Sequence, residues 1–487
     1  MFNSKILRAF LPSLILCFFS PVIFAQLRVA NVFSSNMVLQ RDAPVSVWGS
    51  TKPSAMVSVI FSGQEVTTKA DASGKWTLKL GPLQTSDVPR DMEVFSDSSA
   101  IRFKNILVGD VWLCSGQSNM EYPLDRKQKR YAPPGKGNDE AAAEVANTNR
   151  PDAIRYLYAE RVLNKYPNLP TKGWALGNDT IVNYVSAIGY FFAKEVYENT
   201  KVPIGIISSS WGGTRVEQWT QPAAYRNSKV FENIAIGDTF KIDGMKPGQM
   251  FKGMIEPLLP FAVKGVLWYQ GESNCMVEDQ ATYVEKMRIM EDNWRALLQN
   301  PKLPFYTVQL VPYLYTARKD PKPHTPELLP LFWEAQTQCT SLPNTYMVVT
   351  TDLVDNLKDI HPSYKWIVAH RMALQALYVD YGIRNTEAFS PEIRSSKRKK
   401  GTMVLSFNHT GTGLQSSDGK PLNWFTIAGK DKVFVPAVAT IENGKVVVQS
   451  ETIKKPKYVR FGWNETAMPN LFNRNNLPCI PFRTDKN

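Results

Sequence analysis

Four short polar blocks, three directly following an apolar run and the fourth between the run Tyr346 to Thr350 and a helical pattern, hold the side chains in this 487-residue chain that could do chemistry. In the first, Gly109 to Glu121, the apolar run Val111-Trp-Leu leads into a turn of small and polar residues that contains Ser118. A serine at such a strand end exposes its hydroxyl where backbone N–H groups converge, which is what acyl transfer asks of a nucleophile and its oxyanion donors. A loop serine by itself serves a turn or a cap more often, so the other blocks carry weight. The second block, Ser208 to Trp219, follows Ile204 to Ile207 and holds the pair Gly212 and Gly213, which lets backbone approach a ligand closely. The third, Leu267 to Asn274, crowds Gln270, Glu272, Ser273 and Asn274 around Gly271. Ser273 or Asn274 as a helix cap explains part of that crowding, but not Gln270 and Glu272 as well. The fourth is Asp359-Ile-His361-Pro362. Of the chain's four histidines, His324 lies in a proline-rich loop, His370 within a helical pattern and His409 in the C-terminal β region. His361 is therefore the best placed to act as a base.

The elements that must hold these blocks are legible in the spacing of apolar residues. Across residues 106–385, short continuous apolar runs (Ile204 to Ile207, Val263 to Trp268, Phe305 to Val311, Tyr346 to Thr350) alternate with helical patterns at Ile188 to Glu198, Tyr283 to Leu298 and Lys365 to Tyr378. That alternation predicts an α/β domain with a parallel sheet covered on both faces and its site at the carboxyl ends of the strands. Before it, residues 26–105 alternate apolar and polar side chains between turn signals, as a small β-sandwich does. Beyond it, residues 386–487 read as a second β unit. Near the start of that unit, the basic run Lys397 to Lys400 reads as a solvated linker after Pro391.

Composition bounds the rest. A hydrophobic fraction of 43% and a charged fraction of 21% are those of a globular protein, and the length favours two or three domains. The net charge of +13 raises the question of nucleic acid, yet the basic residues are scattered and no nucleic-acid motif accompanies them. Residues 1–25 combine Lys5 and Arg8 with an apolar core and Ala25, the pattern of a secretory signal peptide. Export to the periplasm or the extracellular space is expected, without membrane insertion. Cys17 sits between large residues, which speaks against a lipid anchor. Cys114, Cys275, Cys339 and Cys479 are far apart, contain no C-x-x-C pair and are expected to be free.

In this order, the four blocks resemble the serine, glycine, asparagine and histidine blocks of the SGNH (GDSL-like) hydrolases. More closely, the chain is similar to the sialate O-acetylesterase family, through Met37-Val-Leu-Gln40, Gly109 to Met120, Trp211 to Thr214, Trp268 to Asn274, Asp359 to Pro362, and Leu477 with Pro481 to Asp485. The resemblance implies a flavodoxin-like SGNH hydrolase domain flanked by β-sandwich-like units, no metal or other cofactor, and an O-acetylated carbohydrate as substrate. It makes Ser118 the nucleophile and His361 the base, with oxyanion donors from the N–H groups of Ser118 and Gly213 and a side chain of the third block. Where the superfamily has asparagine two residues after the glycine, this chain has Ser273, leaving Gln270, favoured because it ends the strand, or Asn274. Where the superfamily places aspartate three residues before the histidine, this chain has Lys358. The orienting group is then Asp359, Glu272, Asp355 or a backbone carbonyl. Trp219 and Tyr122, which follow the active-site turns, and Arg215, facing an acidic sugar, are candidates for substrate contact. A xylan or other plant-polysaccharide acetylesterase fits the same blocks. A carbohydrate-binding protein with an inactive hydrolase domain is disfavoured by the complete set Ser118, Gly213, Gln270 and His361.

Overall fold

Whether a strand alternates in sequence depends on whether water reaches one of its faces, and this chain contains both kinds. The computed structural model describes residues 26–97, 99–161, 169–320 and 322–485; residues 1–25, expected to be a signal peptide, and Cys17 among them lie outside these. Ile204–Ser210, Gly265–Tyr269 and Phe305–Val308 are buried along their whole lengths. They belong to a sheet whose order is Trp174–Ala175, Ile154–Tyr158, Ile204–Ser210, Ser99–Gly116, Gly265–Tyr269, Phe305–Val308, Thr345–Val348. All pairs along it are parallel except that of the edge strand Trp174–Ala175. Trp112 packs edge-on against Phe192 of the helix Ala187–Thr200, and Trp268 against Trp294 of the helix Tyr283–Leu297. Trp112 is in register with Gly265, so Trp268, three residues on, projects from the opposite face. Helices thus cover the sheet on both sides.

The flanking β regions alternate as water-facing strands do, Lys75–Leu80 and Thr402–Asn408 burying every second residue. The N-terminal region is not packed separately from the central sheet. Its strands share one apolar core with it, and the strand Ser99–Gly116 runs through the expected boundary at residue 105. Val38–Gln40 pairs in parallel with Leu107, Val108 and Gly109, which explains the Met37-Val-Leu-Gln40 block structurally. Gln40 donates to Asp110 at 2.9 Å and accepts the N–H of Val111 at 2.9 Å, while Arg41 grips Asp110 with two nitrogens at 3.1 and 3.0 Å. This braces the strand that leads to Ser118.

The C-terminal region has its own apolar core around Leu405, Val446, Val459 and Phe461. Arg483 pairs with Glu334 at 2.8 Å and Arg460 with Asp485 at 2.8 Å, so the terminal block ties this unit to the helix Leu328–Gln338. The basic run is not the linker expected of it, because Lys397 to Lys399 lie in the strand Glu392–Lys399, paired with Thr402–Asn408. That strand forms the edge of a four-stranded sheet, where lysines discourage pairing with another chain. No helix among the described residues is long and apolar enough to cross a membrane.

Candidate active site

Three of the four blocks meet because their strands are neighbours. The N–H of Gln117 donates to the Tyr269 carbonyl at 2.9 Å and that of Trp211 to the Gly116 carbonyl at 3.0 Å, bringing the three turns together at the carboxyl end of the sheet. Ser118 opens the short helix Ser118–Glu121. The loop between Thr345–Val348 and the helix Lys365–Asp380 brings His361 over it, and His361 Nε2 lies 2.8 Å from Ser118 Oγ.

Around the hydroxyl, backbone donors are available. No acceptor among the described residues takes the N–H of Ser118 or Gly213. Gly213 sits at φ +75°, a conformation glycine adopts without strain. Gly212 is needed for proximity: a Cβ there would stand 3.2 Å from Ser118 Cβ and 3.1 Å from Glu121 Oε2, the carboxylate oxygen that accepts the Gly212 N–H at 2.8 Å.

The side-chain donor expected from the third block is a different matter. Gln270 is 1% exposed, and its amide donates to Asn274 at 2.7 Å, Gln117 at 3.1 Å and the Thr214 carbonyl at 3.2 Å. Both amide hydrogens of Asn274 are spent as well, on Asp279 at 2.7 Å and Glu217 at 3.1 Å. An amide holding its buried neighbours has no hydrogen left for an oxyanion. The structure therefore makes Gln270 and Asn274 braces that hold the turns of the second and third blocks together. Lys286 anchors them from behind, its ammonium 2.9 Å from Glu217 and 2.7 Å from Asp279.

The imidazole itself has an asymmetric setting. Asp359 Oδ1 accepts the backbone N–H of His361 at 2.9 Å and stands 3.8 Å from Nδ1, in ion-pair range but too long for a hydrogen bond. Asp355 is engaged with Tyr364 and the Gly135 N–H, and Glu272 with Asn119. Of these three carboxylates, Asp359 alone has an ion-pair contact with the ring among the described residues. The His361 ring also lies against Tyr131, centroids 4.9 Å apart. Burial, joined by the positive charge of Lys365 and opposed by Asp359, pushes His361 down to about 4. A neutral imidazole beside a serine hydroxyl can accept its proton.

The three candidates for substrate contact are all placed elsewhere. Trp219 is 0% and Tyr122 1% exposed, the first bonded to Thr214 at 2.8 Å, the second stacked on Tyr131. Apolar bodies following a turn were drawn into the core, leaving no surface for a sugar. Arg215, 6% exposed, turns inward to Glu217 and the Asp243 carbonyl. The accessible cations beside Ser118 are instead Lys129 and Arg161, both paired with Glu121, and Arg161 lies over the Trp211 ring at 5.7 Å. Nothing in their local sequence marks them: Lys129 ends the short 3-10 turn Arg126–Lys129 and Arg161 lies in an irregular segment. Asn119 and Lys365 also escape sequence reasoning, although they adjoin the serine and histidine blocks. Lys365 is 1% exposed, and its Nζ lies 2.7 Å from Asn119 Oδ1. The four described cysteines are free and buried.

The profile of the family described as "Carbohydrate esterase, sialic acid-specific acetylesterase" matches residues 108–377, the span that contains all four blocks. The chain is similar to the sialate O-acetylesterase of Homo sapiens, 29% identical over 431 residues that cover 81% of this chain and 79% of that one. It is also 29% identical to the Mus musculus enzyme of that name, over 74% of each chain. Among solved structures it is similar to a carbohydrate acetylesterase from Xanthomonas citri, with a TM-score of 0.82 and 35% identity, covering 94% of this chain and 99% of that one.

Proposed function

Since the chain belongs to the sialic acid-specific acetylesterase family of carbohydrate esterases, we propose that it removes O-acetyl groups from sialic acid by acyl transfer through Ser118 and His361. The observation that carries this reading is the 2.8 Å contact between Ser118 Oγ and His361 Nε2, with the backbone N–H groups of Ser118 and Gly213 unclaimed among the described residues. Ser118 Oγ attacks the acetyl carbonyl while its proton passes to His361 Nε2. The carbonyl electrons move to oxygen, facing the N–H groups of Ser118 and Gly213. Collapse breaks the bond to the sugar oxygen, which takes the proton from His361. Water then attacks the carbonyl of acetyl-Ser118, passing a proton to His361, and collapse breaks the bond to Ser118 Oγ, which takes that proton back as acetate leaves. Asp359 steadies the imidazolium through space.

The strand order and the placement of the site support a flavodoxin-like SGNH arrangement for the catalytic region. Lys129 and Arg161 against the single carboxylate of Glu121 give the site a cationic edge suited to a sugar acid. The similarity to a carbohydrate acetylesterase at 35% identity keeps other acetylated glycans as the second reading. The leader-like residues 1–25 support work outside the cytoplasm. Acetate release from O-acetylated sialic acid and from acetylated xylan, by wild type and Ser118→Ala, tests the function. Activity on the first substrate, absent in the variant, is the expected result. Silence of wild type on both removes the reading.

A further inference from the structure

The backbone carbonyls on either side of His361 are each held by a side chain that belongs to the same buried chain of polar contacts. Asn119 Nδ2 donates to the Ile360 carbonyl at 2.9 Å, and Lys365 Nζ donates to the Pro362 carbonyl at 2.6 Å. Asn119 and Lys365 are themselves joined at 2.7 Å, and Asn119 also donates to Glu272. Asn119 stands directly after Ser118, so the network runs from the helix of the hydroxyl to the loop of the imidazole without passing through either group.

A lysine in this position needs an explanation beyond packing. Its side chain is buried, its ammonium lies 4.7 Å over the Tyr122 ring and 5.6 Å over the Tyr269 ring, and its two hydrogen-bond acceptors are uncharged. Taking an ammonium out of water costs several kcal/mol that two neutral acceptors do not return in full, whereas a methionine would fill the same space at no such cost. Glu272, the nearest carboxylate in the network, is also buried, and its second oxygen, Oε2, has no hydrogen-bond partner. Such an arrangement destabilises the fold locally, which is characteristic of groups kept for function.

We propose that Lys365 is a positioning residue, which together with Asn119 clamps the Ile360–Pro362 loop so that His361 Nε2 stays within hydrogen-bond reach of Ser118 Oγ. Within Ile360–Pro362 the remaining backbone hydrogen bond among the described residues is that of the His361 N–H to Asp359, the other bonds of the loop lying farther out, at Asp355, Leu357 and the Asp359 N–H. A displacement of about 1 Å from this geometry costs on the order of 10²-fold in rate. The same ammonium acts on the ring through space. The charged or titratable groups facing His361 are Lys365 and Asp359 from its own loop and helix, Lys129 and Tyr131 from the segment after the nucleophile helix, and Glu272 behind Asn119. Lys365 and Lys129 favour the neutral ring, Asp359 the charged one. Burial, opposed by Glu272 and Asp359, lowers Lys365 to about 7, so the ammonium is charged wherever His361 titrates.

This inference rests on Ser118 and His361 being the reacting pair, so the experiment separates the two. Diisopropyl fluorophosphate labels an activated serine, and wild type that takes no label on Ser118 overturns the pair and the inference with it. With wild type labelled, Lys365→Met, Lys365→Gln and Asn119→Ala are compared on 4-nitrophenyl acetate, folding being checked by circular dichroism and melting. Lys365→Met is expected to lower kcat roughly 10- to 100-fold with KM within about twofold. Its acid limb moves to higher pH because a positive charge has left the ring. Lys365→Gln, which keeps N–H donors, recovers part of kcat but not the limb. If Lys365→Met does not fold, Asn119→Ala breaks the clamp from the other side and is expected to show the same loss of kcat at constant KM. A folded Lys365→Met, or failing that a folded Asn119→Ala, with kcat within about twofold of wild type overturns the proposal.

Discussion

Asn119, the residue after Ser118, donates to the carbonyl of Ile360, the residue before His361, at 2.9 Å across 241 positions of sequence. The two groups proposed to react are thus joined through their neighbours as well as through their own 2.8 Å contact. The backbone on each side of His361 is held by a side-chain hydrogen bond, from Asn119 and from Lys365.

The first prediction concerns the pair itself. Ser118→Ala and His361→Ala are each expected to lower kcat by up to about 10⁶-fold, and the double variant to be no slower than the slower single one, as for groups acting as a unit. Acetate release at saturating substrate reads this. Multiplicative losses in the double variant would show that the two act separately.

Gly212→Ala is expected to slow turnover on the order of 10²-fold while the melting temperature falls little. The atoms nearest the added methyl are Glu121 Oε2 and the Cβ and Cα of Ser118, so the strain falls on the nucleophile's own turn. Steady-state kinetics beside a melting curve separates this from unfolding.

Because His361 is held at about 4 against an ordinary 6.5, kcat/KM should stay level through the usual histidine range and fall only as pH approaches 4. The same depression acts on stability. Between these two values the unfolded chain binds a proton that the folded one refuses, so the contribution, on the order of 3 kcal/mol, is complete above 6.5 and is lost as pH falls towards 4. Melting temperature against pH for wild type and His361→Phe should differ in slope in that window, with wild type the steeper.

Lys286→Met is expected to destabilise the fold by about 3–5 kcal/mol, since buried Asp279 would lose its cation and Glu217 would keep only Arg215. Chemical denaturation measures the loss. A loss under about 1 kcal/mol would show that the pairs add little to stability.

Arg161→Ala should raise KM for an acetylated sugar acid several-fold and leave KM for a neutral acetyl ester unchanged, the difference shrinking at high salt. Equal effects on both substrates would assign Arg161 to holding Glu121 rather than to meeting the sugar.

How much was legible in the sequence follows from what kind of interaction places each residue. The fully buried runs Ile204–Ser210 and Gly265–Tyr269, and the helices Ala187–Thr200 and Lys365–Asp380, are written in local periodicity, because covering one or two faces of an element imposes a pattern on its own residues. Ser118 was recognisable for a related reason, since it follows such a strand in a run of small and polar residues, and His361 because the other three histidines fall in a proline-rich loop, a helical pattern and the C-terminal β region.

What the tertiary structure alone decided is which polar groups point at one another. Gln270 and Asn274 looked like donors to a substrate, yet their amide hydrogens are taken by Gln117, Thr214, Glu217 and Asp279, most of them on other turns. Trp219, Tyr122 and Arg215 looked accessible because they follow turns, yet all three are buried, with Trp268 against Trp219, Lys365 over Tyr122 and the Asp243 carbonyl on Arg215 adding to their local contacts. Lys365 looked like the start of a helix and proved to hold the carbonyl beside the histidine. Periodicity reports whether a residue faces solvent or core, since that is a property of its own element. Hydrogen-bond partners at long sequence range are a property of two elements at once, and only their packing settles them.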